Sequence, residues 1–488
     1  MSTIALDPQF AAAVEQGGYV PVRLARPFGA ETPATLFKRL LDEPYAALLE
    51  TLGQTLPGKA LIGLAPLAVL RADGQRISVT REGETRHFEG DPISAVRTLL
   101  RELAPTPGAA LPAEAGAIGY FGYDAVRHVE KLPALAGPGL PMPEVCFMIP
   151  GTLVAFDLPA RRLELIRLVR PAAGETAEAA YDRAMASLQA LDARLQAPPP
   201  APAAGSASAP TFVPGMSAEE YGEKVLALKA HILAGDIFQV VLSQRFEVEA
   251  PPAPFAIYEA LREINPSPYM FCLKLPEAMV TGASPELLFK LRGGTLTVRP
   301  IAGTRRRGQD AAEDAALESE LRADAKELAE HVMLVDLGRN DVGRVAEIGS
   351  VKVVDSQVVE RYSHVMHLVS SVEGRLPASK DAFDAFRATF PAGTLSGAPK
   401  VRAMSLIEAF EPTRRGLYGG ALGFFGFNGE SELAIAIRTA VTTGGRTYFQ
   451  TGAGIVHDSD PAKEYQETLD KARALRAAIT RAHAGQEV

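Results

Sequence analysis

From Ser217 onward the apolar positions of the chain fall into alternating helical and strand periods. Tyr221, Val225, Leu228 and Ile232 recur on one helical face, and Ser217 with Glu220 ahead of them has the spacing of a capping box. Ala234-Gly235-Asp236 ends that helix, and the unbroken apolar run 237–242 predicts a buried strand. Residues 296–299 alternate as a strand feeding the turn Pro300-Ile301-Ala302-Gly303-Thr304, and 311–337 predict a largely helical stretch. Pro399 suits the first turn of a helix running to Phe410. The segments 420–427, 434–441 and 447–455 read as consecutive strands bounded by glycine or polar turns. Asp460 and Pro461 then cap and open a final helix. Strands clustered beside long helices predict an α+β fold of layered antiparallel sheets flanked by helices.

One stretch has no periodicity at all. Residues 197–210 (APPPAPAAGSASAP) follow a helical run, 181–196, and predict a flexible surface loop between an N-terminal part, 1–196, and a C-terminal part, 211–488. A chain of 488 residues can bury a large core, and 47% hydrophobic with 22% charged residues is ordinary for a soluble globular protein. The formal charge of −8 argues against nucleic acid or an acidic membrane as partner. The N-terminus lacks the basic-then-apolar pattern of a secretory signal, and no apolar run approaches the ~20 residues that span a bilayer. Cys146 and Cys272 sit in apolar strings and read as buried free thiols, which fits a reducing cytoplasm.

The candidate chemistry is carried by short strings. Glu327 and Glu330 share a face of a predicted helix, and Glu464 and Glu467 repeat the spacing on the last helix. An isolated E-x-x-E is usually a solvated acidic face; the alternative is a Mg²⁺ site, since that ion takes one or two carboxylates from rigid elements and leaves room for an anionic ligand. Lys471, one turn beyond Glu467, is either its ion-pair partner or a cation beside that ligand. Gly452-Ala453-Gly454 closes a strand, where bare backbone can offer N–H groups to a carboxylate, although a lone G-x-G more often marks a turn. Arg438 lies between apolar flanks, and a buried arginine needs an anionic partner. Glu286 precedes a predicted strand, and His367 lies in His364-Val-Met-His367; capping and a satisfied core histidine are their plain roles.

In order along the chain stand Arg299-Pro-Ile-Ala-Gly-Thr304, Glu327-Leu-Ala-Glu330-His331, Asp336-Leu-Gly-Arg339-Asn340-Asp341, Pro391-Ala-Gly-Thr394-Leu-Ser-Gly-Ala-Pro399-Lys400 and Arg415-Gly-Leu-Tyr418-Gly419-Gly420. Ile437-Arg438-Thr439, Thr451-Gly-Ala-Gly454 and Lys463-Glu464-Tyr-Gln-Glu467-Thr-Leu-Asp-Lys471 complete the series. Together they resemble the chorismate-utilising enzymes, most closely the anthranilate synthase component I branch, densely from about Ser217 to Lys471 and thinly before it. The resemblance implies two layers built from interleaved subdomains. It implies Mg²⁺ on Glu330 and Glu467, with Glu327 and Glu464 as neighbours. It places Gly303, Thr304, Gly452, Ala453, Gly454 and Lys471 around one substrate carboxylate, and Arg438 and Tyr418 on the enolpyruvyl carboxylate. It assigns Glu286 to protonation of the departing C4 hydroxyl, His367 to the active-site histidine, and Thr394 to a nearby polar contact to the ring.

Branches of this family differ in nucleophile. The water-using members resemble one another in a lysine base where this chain has Gln239, and a glutamine cannot deprotonate water. Aminodeoxychorismate synthases commonly carry a lysine nucleophile where this chain has Ala302, which has no amine for a covalent adduct. Direct attack by ammonia remains, giving anthranilate and pyruvate as a lyase does in the first committed step of tryptophan biosynthesis. Neither cysteine has the setting of an amidotransferase nucleophile, so a separate glutamine amidotransferase subunit is expected to supply the ammonia. Within the family the alternatives are aminodeoxychorismate synthase component I and a synthase stopping at 2-amino-2-deoxyisochorismate. Outside it stands a sensor that binds chorismate without turning it over, for which Glu286 and His367 beside a metal would be superfluous. The family's allosteric tryptophan site maps onto Thr51 in Leu48-Leu49-Glu50-Thr51 and onto Pro268, Tyr269 and Met270. Thr51 stands where serine is usual, and the segment 52–59 lacks the aromatic and arginine residues usual there, so weakened feedback inhibition is expected.

Overall fold

The computed structural model describes residues 10, 13–14, 17–29, 31–52, 58–198, 208–361 and 365–485. Two large antiparallel sheets share two long strands, Lys59–Asp73 and Val145–Asp157, which run side by side and bend together. The bend is local chemistry. Ala65 takes a left-handed φ of 47°, Pro66 faces Pro150, and the register slips between Pro66 and Ala68. Two prolines withdraw two ladder donors at one level, so the pair turns there without losing hydrogen bonds elsewhere. Before the bend, Lys59–Asp73 pairs with Ala46–Thr51, and the sheet continues through Tyr269–Lys274, Ala278–Ser284, Thr439–Thr443, Arg446–Ile455 and Gln239–Glu249. On the other side of the bend, Val145–Asp157 pairs with Gly116–Phe121, and the second sheet continues through Ala421–Gly426, Ser431–Ile435, Leu287–Arg292, Thr295–Val298 and Val365–Arg375. Early and late segments therefore interleave in both sheets.

The core has three main layers. Between the sheets lie Leu61, Tyr120, Met148, Phe271, Val280, Leu422 and Phe424, all under a tenth exposed. The outer face of the first sheet is covered by the helices Ala177–Gln196, Pro254–Ile264 and Pro461–Ala484, and that of the second by Pro92–Glu102 and Ala382–Thr389. The rings of Phe121, Phe383, Phe386 and Phe425 stack under the latter pair, each burial contributing about 1.5–3 kcal/mol. The α+β layered architecture expected from the sequence is the one observed. Cys146 and Cys272 are free and buried. Among the described residues no helix is long and apolar enough to cross a membrane.

Two stretches depart from the sequence reading. The helix expected over 311–337 is two, Ala311–Ala323 and Ala325–Gly343, because the Asp324 carboxylate accepts from the N–H groups of Lys326 and Glu327 and starts a new helix. The strand expected over 434–441 is also two, Ser431–Ile435 in the second sheet and Thr439–Thr443 in the first. Its apolar run hides a crossing between sheets at residues 436–438. Most of the 197–210 tract, together with 53–57 and His364, lies outside the described residues.

Candidate active site

The crossing at 436–438 has a counterpart. Ala278–Ser284 belongs to the first sheet and Leu287–Arg292 to the second, so Pro285-Glu286 also passes between them. The two links lie side by side, tied by Ala283 N–H donating to the Arg438 carbonyl (3.2 Å) and Ile435 N–H donating to the Glu286 carbonyl (3.0 Å). Arg438 holds a left-handed φ of 48°, an uncommon state for a residue with a Cβ. Its charge faces Glu286. Burial pushes the Glu286 carboxyl up to about 7, against the opposing pull of the Thr394 hydroxyl, Lys471 and Arg438. Thr394 Oγ1 donates to Glu286 Oε1 at 2.7 Å. Thr394 thus acts on the carboxyl group, where the resemblance implies a polar contact to the substrate ring. With Glu286 facing it from hydrogen-bonded company of its own, the Arg438 guanidinium can also accept an anion.

His367 sits on Val365–Arg375 opposite Thr304, where Ile301–Arg306 bulges at Gly303. Gly303 has a φ of 69°, and a Cβ there would stand 2.9 Å from Leu321 Cδ1 and 3.4 Å from Glu327 Oε2, so only glycine fits. The bulge turns the Gly303 carbonyl to His367 Nδ1 (3.2 Å), and the Thr304 hydroxyl lies 3.0 Å from the same nitrogen. A carbonyl only accepts, so Nδ1 carries the proton. Burial lowers the imidazole's pKa and keeps it neutral. Ala302, in register with Leu368, is buried and brings no amine to this edge.

The helices Ala325–Gly343 and Pro461–Ala484 bring the two carboxylate pairs together. Burial raises the pKa of Glu330, and Glu327 and Glu467 raise it further by repulsion, against the attraction of Lys471. Glu464 is raised by burial and by Glu467, and its hydrogen bond to Ser459 opposes this. Glu467 pairs with Lys471 at 2.8 Å, and Arg305 reaches Glu327 at 3.4 Å. Among the described residues no three histidine, cysteine or carboxylate side chains close into a ready metal cage. The donor set nonetheless fits a hard divalent cation: oxygen ligands on two rigid helices, repelling one another across a gap that Mg²⁺ would neutralise.

Beside these groups, within the first sheet, runs Gly452-Ala453-Gly454, paired with Ser243, Leu242 and Val241. Lys471 Nζ donates to the Gly452 carbonyl at 2.9 Å, which fixes the ammonium at the strand. A Cβ on Gly454 would stand 2.7 Å from Gln239 Nε2, so the glycine makes room for that buried amide. Tyr418 completes the wall. Burial raises its hydroxyl's pKa, Arg415 lowers it, and Glu286 and Glu467 both bear on it, so it faces the acid and the helices at once. Electrostatic contacts link Glu286 to Arg438 and Lys471, His367 to Arg438, and Glu330 to Lys471, so these groups lie near one another.

Thr51, Tyr269 and Met270 line a separate cavity of ≈ 50 Å³, with Glu50, Phe271, Phe424 and Ala434. Pro268 is joined to its edge by Leu52 N–H donating to its carbonyl at 3.1 Å. Sequence reasoning missed two ion pairs, one part-buried and one fully buried. Lys400 meets both oxygens of Asp341 at 3.0 Å, tying the Lys400–Phe410 helix to Ala325–Gly343. Arg415 forks onto Glu411, with Nη2 at 2.6 Å and Nε at 2.9 Å. The i,i+4 spacing of Glu411 and Arg415 is readable, but Glu411 ends a helix, and nothing local signals that both side chains are buried.

The model of the chorismate binding enzyme family matches residues 23–477. The chain is 50% identical over 407 residues to the anthranilate synthase component 1 of Streptomyces coelicolor, covering 81% of this chain and 78% of that one. It is 44% identical to the anthranilate synthase component 1 of Pseudomonas aeruginosa over 94% of each chain. The crystal structure of anthranilate synthase component I from Streptococcus pneumoniae superposes with a TM-score of 0.76 at 35% identity, covering 87% of this chain and 94% of that one.

Proposed function

The chain belongs to the chorismate binding enzymes, and from that premise we propose that it converts chorismate and ammonia to anthranilate and pyruvate, the first committed step of tryptophan biosynthesis. The observation that carries this reading is the Glu286–Arg438 corner, a carboxyl held near neutrality beside a cation suited to a carboxylate. Chorismate has two carboxylates and a hydroxyl to be expelled, and the site has a counterpart for each. Arg438 and Tyr418 hold the enolpyruvyl carboxylate, while Gly303, Thr304, Gly452, Ala453, Gly454 and Lys471 surround the ring carboxylate. Glu286, neutral at the start, protonates the C4 hydroxyl as it leaves, and ammonia adds at C2. The neutral His367, its Nδ1 proton held by the Gly303 carbonyl, takes part in the proton transfers that accompany loss of pyruvate. Glu330 and Glu467 would hold Mg²⁺, which when bound neutralises the ring carboxylate. Ala302 and Gln239 disfavour the covalent-amine and water routes, since neither can act as a nucleophile or as a base.

The same reading extends to partner, place and regulation. Burial pushes the Cys146 thiol up to about 12 and raises that of Cys272, so neither is a glutaminase nucleophile. Ammonia then comes from a separate glutamine amidotransferase, in a cytoplasmic hetero-oligomer. The cavity at Thr51, Tyr269 and Met270 takes tryptophan as a weak allosteric inhibitor. Its Glu50 is already held by Arg262 Nε (3.1 Å) and by the Tyr258 hydroxyl, leaving Thr51 as the side chain that sets the fit.

Purified protein with chorismate, Mg²⁺ and an ammonium salt should release anthranilate and pyruvate in equal amounts, followed by fluorescence and a coupled pyruvate assay. A chelator should stop both, and Glu330→Gln should need more Mg²⁺ for half-maximal rate. Full turnover of Glu330→Gln with the chelator present would remove the metal assignment. Chorismate consumed without pyruvate would favour the aminated intermediate as product.

A further inference from the structure

Arg415 and Glu411 are 4% exposed each, the most deeply buried ion pair among the described residues. A buried pair gains little net stability over apolar side chains of the same volume, so its contacts say more than its charge. Beyond the fork to Glu411, Arg415 Nη1 donates to the Leu395 carbonyl at 2.5 Å and Nη2 to the Val241 carbonyl at 2.9 Å. The guanidinium carbon lies 4.6 Å from the ring centre of Tyr123 and 5.5 Å from that of Tyr418. Glu411 Oε1 in turn accepts from the Ser243 N–H at 2.8 Å and from its hydroxyl at 2.6 Å, and Gln450 donates to that hydroxyl at 2.8 Å.

The contacts lead to site residues, their sequence neighbours or their strand partners. Leu395 follows Thr394, whose hydroxyl donates to Glu286. Val241 and Ser243 are the register partners of Gly454 and Gly452. Tyr418 belongs to the loop that starts at Arg415 itself. That loop is pinned by Gly416 N–H donating to Asp124 at 3.1 Å and Gly419 N–H donating to the Ala436 carbonyl at 3.0 Å. Gly419 has a φ of 73°, and a Cβ there would stand 3.3 Å from the Tyr123 ring, so the turn favours glycine.

We propose that Arg415 and Glu411 are the positioning pair of this site, one guanidinium–carboxylate unit that sets Thr394 and its acid, Tyr418, and the glycine strand in mutual register. This deepens the chorismate-to-anthranilate reading and rests on it. Neither residue touches the substrate. They act through the groups that do, and a displacement of about 1 Å in such groups can cost about 10²-fold in rate. Lysine cannot reproduce the planar fork, so Arg415→Lys keeps the charge and loses the geometry.

The test compares wild type, Arg415→Lys and Glu411→Gln in ammonia-dependent turnover, with thermal unfolding recorded for each. Wild type must first make anthranilate; if it does not, the reaction assignment fails and the pair is not at issue. Given an active wild type, the folded variants should lose about 10²-fold in kcat/KM for chorismate, with the Mg²⁺ half-saturation unchanged because the pair does not contact Glu330 or Glu467. The alkaline limb set by Glu286 should move to higher pH as Thr394 loses its hold. The other charged or titratable groups bearing on Glu286 are Lys471 from the last helix, Arg438 from the neighbouring link and Tyr418. A purely structural pair would lower the fraction of active protein and leave KM and the limb where they are, and that result in either folded variant overturns the proposal. Glu411→Gln keeps the shape and one hydrogen-bonding oxygen, so it decides between the two outcomes if Arg415→Lys does not fold.

Discussion

Glu286 shows how much a single position owes to its surroundings. An exposed glutamate is ionised at neutral pH; burial carries this one from an ordinary 4.5 to about 7, and the proton needed for a departing hydroxyl is therefore present. Activity should fall as pH rises through that region, because the acid form is consumed. Thr394→Val removes a donor that favours the charged form, so the limb should move to higher pH in a pH–rate profile. Linkage gives a second readout. A carboxyl whose folded pKa lies above its unfolded value costs nothing below about 4.5 and its full penalty above about 7, so stability is lost as pH rises between them. Glu286→Gln should accordingly be more stable than wild type at pH 8 by about 1–2 kcal/mol in urea unfolding, equal to it at pH 4.5, and slower in turnover by about 10²–10⁴-fold. A variant both slower and no more stable at pH 8 would mean that the carboxyl is ionised and plays another part.

At the scale of elements, the crossings between sheets decide where function can sit. The Pro285-Glu286 and 436–438 links lie side by side because the chain passes between the sheets twice at one level. The strings around Glu286, His367 and Lys471 were legible because glycine, proline and charge punctuate them. The 436–438 turn was not: Ala434-Ile435-Ala436-Ile437 reads as one strand, and the left-handed residue is an arginine, which no turn rule selects. The same crossing brings the cavity at Thr51 and Tyr269 close to the acid. Tyr269 is the register partner of Ser284, whose hydroxyl accepts from the Glu286 N–H at 3.3 Å, and Ala434 is the partner of Leu287. A ligand that shifts these strands would move Glu286 directly. One excess methyl in a close-packed site costs about 1–3 kcal/mol, so Thr51→Ser should lower the tryptophan concentration for half-inhibition by about fivefold or more. Unchanged inhibition would place the inhibitor elsewhere.

For the whole molecule, composition and periodicity were enough to expect layered antiparallel sheets with helices outside. They could not show that residues before 196 supply strands to both sheets, since pairings such as Ala46–Thr51 with Tyr269–Lys274 join positions more than two hundred residues apart. The site gathers separate segments of the later part of the chain: the acid, the cation clamp, the glycine strand and the carboxylate helices. On the proposed reading, ammonia adds at C2 there and pyruvate leaves from the same site. A single-turnover reaction with ¹⁵N-ammonium, Mg²⁺ and excess enzyme over chorismate, quenched and read by mass spectrometry and NMR, tests it most directly. The expected product is anthranilate with the label on its ortho amino group and one pyruvate per ring, and no turnover when glutamine replaces ammonium. Label at C4, or an aminated ring that keeps its enolpyruvyl group, would contradict the account.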